Sequence, residues 1–203
     1  MSKEGKNFEK TLPDGFEKAF TLDAKSTKAG LILNLIALLV LGICAAIGFY
    51  LTLLKPVADK ELDPIEMLIA LCIFLLIIIV YTVLHELVHG AAYKALTDEK
   101  LTFGLSWSCA FCGVPNIYTY RRTALIACSA PMIFFTVLTL PILAALYFVN
   151  SVYFMLGTAF FGLHLGGCSG DFYVCWLLLF HFKDKNTLMN DTGPVMTLYV
   201  PTK

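Results

Sequence analysis

At 203 residues the chain suits one compact domain. Apolar residues make up 58% of it and charged ones only 15%, where soluble domains carry about 45–50% and about 25%, so the composition excludes an ordinary aqueous setting and points to a lipid bilayer. Formal net charge is zero, which gives no support for a nucleic-acid partner, and none is expected.

In chain order, the first 29 residues are polar and hold six lysines and five acids. A secretory signal has a short basic start and an apolar core of roughly 7–15 residues. Here the polar lead is longer and the first apolar run more extended, so a retained tail followed by a true span is expected. Four stretches are apolar enough to cross about 30 Å of hydrocarbon: 30–54, 65–96, 124–149 and 152–181. Asn150-Ser151 alone separates the last two, which predicts a helical hairpin. Between the second and third, residues 101–120 are rich in Thr, aromatic and small residues around a turn-like Gly113-Val114-Pro115-Asn116, and an irregular β-hairpin is expected there.

Four spans put the N-terminal segment, the 94–123 connection and the C-terminal segment on one side. That side carries thirteen of the 15 basic residues, which marks it as cytoplasmic. The expected fold is an all-α integral membrane protein of the cell membrane: four transmembrane helices with a small β-hairpin-like cytoplasmic insertion between helices 2 and 3. A cytoplasmic tail (1–29), a membrane domain (30–181) and a second cytoplasmic tail (182–203) divide the chain. Seven cysteines, mostly in apolar segments, suggest small buried hydrophobes and no disulfide framework.

The second span ends in His85-Glu86-Leu87-Val88-His89. Residues four apart share a helix face, so two imidazoles can chelate one ion while Glu86, about 100° around the helix, can reach a water on it. Such residues on a wet helix could be accidental. Inside a span a charged group costs about 2.5–3.5 kcal/mol on insertion scales, which favours a function. Catalytic zinc usually takes three protein ligands, and Asp171 is the one acid between Glu99 and Asp184. His85 lies 21 residues beyond Pro64 and Asp171 lies 21 beyond Asn150, so both sit roughly 30 Å along parallel spans, near the cytoplasmic edge. Asp171 could instead cap a helix break at Gly166-Gly167 and Gly170, and the two roles are compatible.

His164, two turns before Asp171, reads equally as a partner of the site, an alternative ligand or a hydrogen-bonded packing residue. His181 reads as an interface residue, and Arg121-Arg122 as headgroup anchors. Cys109-x-x-Cys112 has zinc or redox spacing, but no second pair completes a site, so ordinary reduced thiols are expected.

With HELVH in one span and an aspartate in a later one, residues 65–181 resemble the site-2 protease clan of intramembrane zinc metalloproteases. They are more closely similar to small bacterial four-span membrane proteins catalogued as putative zincin peptidases. The resemblance implies Zn²⁺ on His85, His89 and Asp171, with Glu86 as general base. It also implies a strand-rich segment after the motif helix, as 101–120 would be, and a small-residue-plus-proline step such as Ser129-Ala130-Pro131 at the next span. The clan carries Asn, then Pro, then Asp-Gly in the later span; Leu163, Gly166, Asp171 and Phe172 stand there, so only the aspartate matches and the oxyanion partner is unassigned. The activity implied is hydrolysis of a membrane-protein or peptide substrate at the cytoplasmic face. A metal-binding adaptor that cuts nothing and a haem protein ligated by His85 or His89 with His164 are the competing readings.

Overall fold

In the computed structural model, which describes residues 7–55, 61–106 and 110–202, the apolar stretches form helices whose ends are set by local chemistry. These are α1 (Thr27–Leu53), α2 (Pro64–Thr97), α3 (Arg121–Val149) and α4 (Ser151–Gly167). At the start of α2, Asp63 Oδ1 accepts the N–H groups of Ile65 and Glu66, each at 2.8 Å, while Glu66 Oε2 accepts the Asp63 N–H at 3.0 Å. This reciprocal cap satisfies amides the first turn leaves open, and Pro64 at the first helical position has no N–H to waste. At the other end Asp98 adopts a left-handed φ of 54° and donates its N–H to Lys94 O at 2.9 Å, closing the helix. Asn150 caps α4 by accepting Val152 N–H at 2.8 Å, so the expected tight connection between α3 and α4 is present.

Lys28–Leu53, Pro64–Thr97 and Arg121–Val149 are each long and apolar enough to cross a membrane. The most apolar windows of the first two are 0% buried by the chain itself, so their Leu and Ile surfaces call for a non-aqueous neighbour. The fourth stretch is broken at Cys168: α4 is followed by α5 (Ser169–Trp176) and a π-helical turn, Leu177–His181. It makes a fourth candidate span only when the pieces are counted together.

The all-α expectation is corrected by strands. β1 (Phe8–Glu9), β2 (Phe16–Asp23), β5 (Tyr118–Tyr120), β6 (Leu188–Asp191) and β7 (Val195–Pro201) form one antiparallel sheet in the order β1-β5-β6-β7-β2. Both segments read as tails thus supply strands. β2 and β7 pair from Phe16↔Pro201 to Asp23↔Val195 with a bulge between Lys18 and Phe20, and Thr21 and Thr197 face each other with hydroxyls 3.3 Å apart. β3 (Thr102–Leu105) and β4 (Ala110–Gly113) form the separate hairpin. Its turn is not at Gly113–Asn116 as expected: β4 pairs back onto β3, and the strand after that turn, β5, joins the other sheet. The cause is a contact with the C-terminal segment, whose Asp191 carbonyl accepts the Val114 N–H at 2.8 Å.

The chain divides into two compact units. Met1–Ile32, Leu84–Pro131 and Gly170–Lys203 form the first; Leu33–Val83 and Met132–Ser169 form the second. The first is built on a core that includes Tyr93, Ile117, Ala127, Leu178, Met189 and Leu198. In the second, small residues of α4 let α1 come close. A Cβ on Gly166 would lie 2.8 Å from Ala37 Cα, and one on Gly162 would lie 2.9 Å from Leu41 Cα. Gly166→Leu should therefore cost about 1–3 kcal/mol and lower Tm in detergent, whereas Gly167→Leu, at a position with nothing within 4 Å, should not. Equal losses for both would mean that the small-residue contact contributes nothing.

Candidate metal centre

His85 and His89 lie one turn apart on α2, and their rings meet at 5.0 Å between centroids with a 73° tilt. Asp171 comes from the first turn of α5, where an acid also favours the positive end of the helix. Asp171 Oδ2 lies 3.6 Å from His85 Nε2 and 3.3 Å from His89 Nε2, with the histidine side chains 9% and the carboxylate 12% exposed. The three donor atoms are all within 4.8 Å of one another. The structure thus brings together the three residues singled out as metal ligands in the sequence.

This donor set fits a zinc ion. Ligand atoms roughly 2.0–2.1 Å from a tetrahedral ion stand roughly 3.3–3.4 Å apart, close to the spacings seen here, and imidazole with carboxylate is a common zinc set. The tautomer of His89 suits it too. Its Nδ1 lies 2.9 Å from the Ala127 carbonyl oxygen, which can only accept, so Nδ1 carries a proton and Nε2 is the nitrogen left to face Asp171 and, once free of its own proton, an ion. A carbonyl behind a histidine in this way fixes ring orientation and raises ligand basicity.

Glu86 is partly buried beside this trio, and the Cys112 backbone on β4 lies beside its carboxylate. Two residues that no motif marks lie close by. Tyr93, one turn beyond His89, donates its hydroxyl to Asp191 Oδ2 at 2.6 Å, and both side chains are buried. Tyr93 stands on an apolar helix as one more aromatic residue, and Asp191 is on a strand 98 residues away in sequence. Burial pushes the Asp191 carboxyl up to about 6, against the opposing pull of the Tyr93 hydroxyl, the Gly193 N–H and His89.

A carboxyl raised on folding favours the protonated folded chain. The stability it contributes is therefore complete below about pH 4, the unfolded value, and is lost as pH rises through about 6, an effect of about 3 kcal/mol. In the metal-free protein Asp191→Asn should flatten the fall in Tm between pH 4 and 6. An unchanged slope would show that another group controls it.

His164 is in the second unit and fully buried, with Tyr81 Oη 2.9 Å from Nδ1 and Thr136 Oγ1 3.1 Å from Nε2. Both ring nitrogens engage hydroxyls, so axial haem ligation by His164 would have to break one of these bonds. His181 is exposed and packs on Trp176 at 4.4 Å between ring centroids. Arg121, read as a headgroup anchor, also makes an internal tie: its Nε donates to the Leu178 carbonyl in the π-helical turn at 2.6 Å. Cys109 lies outside the described residues. Cys112 is buried on β4, and burial pushes its thiol up to about 12, which suits the inert role expected for it.

Residues 77–185, more than half of the chain, match the family described as "Putative zincin peptidase". That range contains the four residues His85, Glu86, His89 and Asp171 and ends before Asp191. No curated protein and no solved structure matches.

Proposed function

Because the chain belongs to the family of putative zincin peptidases, we propose that it is a zinc-dependent intramembrane peptidase cutting membrane-associated substrates near the cytoplasmic face. The observation that carries this reading is the meeting of His85 Nε2, His89 Nε2 and Asp171 Oδ2 within 4.8 Å, next in sequence to the Glu86 carboxylate. His85, His89 and Asp171 would hold the ion. Zinc bound there supplies Lewis-acid chemistry, drawing electron density from the attacking water and from the scissile carbonyl.

The chain's own groups do the rest. Glu86 takes the proton of the attacking water and returns it to the leaving amine nitrogen as the C–N bond breaks. The Ala127 carbonyl keeps His89 in the tautomer that leaves Nε2 free. Cys112 on β4 lies beside Glu86, so an extended peptide laid along β4 would bring its backbone beside Glu86. A helical substrate must first unwind there. The unburied apolar helices support insertion in the cell membrane, and the lysine and arginine distribution supports cytoplasmic termini.

The test uses the full chain in vesicles with a single-span reporter that carries a central Gly-Gly and a cytoplasmic fluorophore. Cleavage that stops with 1,10-phenanthroline and returns with zinc is the expected result. Cleavage indifferent to chelation would overturn the zinc mechanism.

A further inference from the structure

Asp191 gathers three donors from three parts of the first unit. Its Oδ2 accepts the Tyr93 hydroxyl of α2 at 2.6 Å, its Oδ1 the Gly193 N–H at 2.8 Å, and its backbone carbonyl the Val114 N–H at 2.8 Å. Asn190, its neighbour on β6, donates to the carbonyls of Pro115 at 3.0 Å and Ile117 at 2.8 Å. The Asn190-Asp191 pair therefore grips the whole turn that leaves β4. Packing seals the grip: the Gly113 Cα backs onto the Gly193 amide, and the Phe111 ring covers Gly193 so closely that a side chain at either glycine would collide. Gly193, at φ +98°, also needs the freedom of glycine to make this turn.

Two residues before the gripped Val114 stands Cys112, whose backbone lies beside the Glu86 carboxylate. On α2, the anchor Tyr93 lies seven residues, about two turns, beyond Glu86 and so on much the same side of the helix. The helix that carries the proposed base and the strand that faces it are thus fastened to one buried carboxylate. Loose strands have other ways to be held, but a carboxylate 2% exposed that accepts a tyrosine hydroxyl is a costly choice for a mere surface turn.

We propose that Asp191 is a positioning residue for the peptidase site, setting β4 against α2 through Tyr93 and Val114 so that the Cys112 amide and the Glu86 carboxylate stay in register. The proposal rests on the peptidase reading for its consequence in catalysis, but the positioning itself is measurable without a substrate. It also extends the working site beyond residues 77–185, into the C-terminal hairpin of β6 and β7.

The experiment compares wild type, Asp191→Ala and Tyr93→Phe, each as the full chain in detergent, by amide hydrogen exchange, zinc content and reporter cleavage. Tyr93→Phe removes only the hydroxyl and guards against a variant that fails to fold. Exchange at 112–114 should quicken at least tenfold in both variants, with exchange across β2 and β7 and zinc content unchanged. Where the reporter is cut, kcat should fall at least tenfold with KM within about twofold, and Asp191→Glu should recover more of it than Asp191→Ala. If the wild type cuts nothing, the peptidase reading fails while the local exchange result still decides the positioning. Unchanged exchange at 112–114 in both variants, or exchange rising equally throughout the sheet, overturns the proposal.

Discussion

Glu86→Gln should leave the chain folded with about one bound zinc and abolish peptide cleavage, lowering kcat by a factor on the order of 10²–10⁴, the usual contribution of a general base. The substitution keeps the size and an oxygen beside the Cys112 backbone, so β4 has no reason to move. What it removes is the ability to take a proton. His85, His89 and Asp171, the proposed ligands, remain. Zinc content and Tm read the first half of the expectation, and initial rates on the vesicle reporter read the second. A variant that keeps more than a tenth of the wild-type rate would take Glu86 out of the chemistry. One that cuts nothing and also loses its zinc would make Glu86 part of the metal set instead. An adaptor that never cuts would behave identically in both forms.

Why was this site so visible in one dimension? His85, Glu86 and His89 are local: a single helical turn fixes their relative directions, and their chemistry is conspicuous against Leu, Ile and Val. Asp171 is distant in sequence, yet it was within reach of a count along two apolar stretches, because helices advance by a constant rise per residue. The structure places it against both histidines, at 3.6 and 3.3 Å. The Asp63-Pro64-Ile65-Glu66 cap of α2 is as local as the histidine motif, since all its partners lie within one turn.

The sheet was not legible. Phe16–Asp23 pairs with Val195–Pro201 across most of the chain, and neither strand carries a long apolar alternation that would announce it. A strand's hydrogen bonds are made with whatever lies beside it, so short strands gain their stability from partners that sequence spacing cannot supply. The same fact misplaced the hairpin turn. Gly113-Val114-Pro115-Asn116 has good turn chemistry, and a turn does follow β4, but Asp191 decides where the strand after it goes. Tyr93 was hidden in a different way: an aromatic residue on an apolar helix looks like core until its hydroxyl is seen to reach a carboxylate.

Asp171→Ala tests the part of the site that rests on long-range assembly. The carboxylate lies within ion-pair distance of both imidazoles, and without it the proposed set keeps only His85 and His89 on a single helix. Zinc affinity should fall by more than the roughly 10–100-fold typical of losing a supporting contact, because a ligand itself is removed. Purified wild type should hold about one zinc and Asp171→Ala well under half of that after dialysis. A second readout needs no activity. A ligand that binds only the folded chain stabilises it by about 2.7 kcal/mol at a hundred times its Kd, so added zinc should raise the Tm of chelator-stripped wild type and leave Asp171→Ala almost unmoved. Asp191→Asn supplies the control, since it changes a nearby buried acid that is not among the proposed ligands, and its zinc response should match that of wild type. Full zinc occupancy in Asp171→Ala would move the third ligand elsewhere. An equal loss of the zinc response in Asp191→Asn would make the effect of Asp171→Ala one of general negative charge, and the geometry at 3.3 and 3.6 Å would no longer explain it.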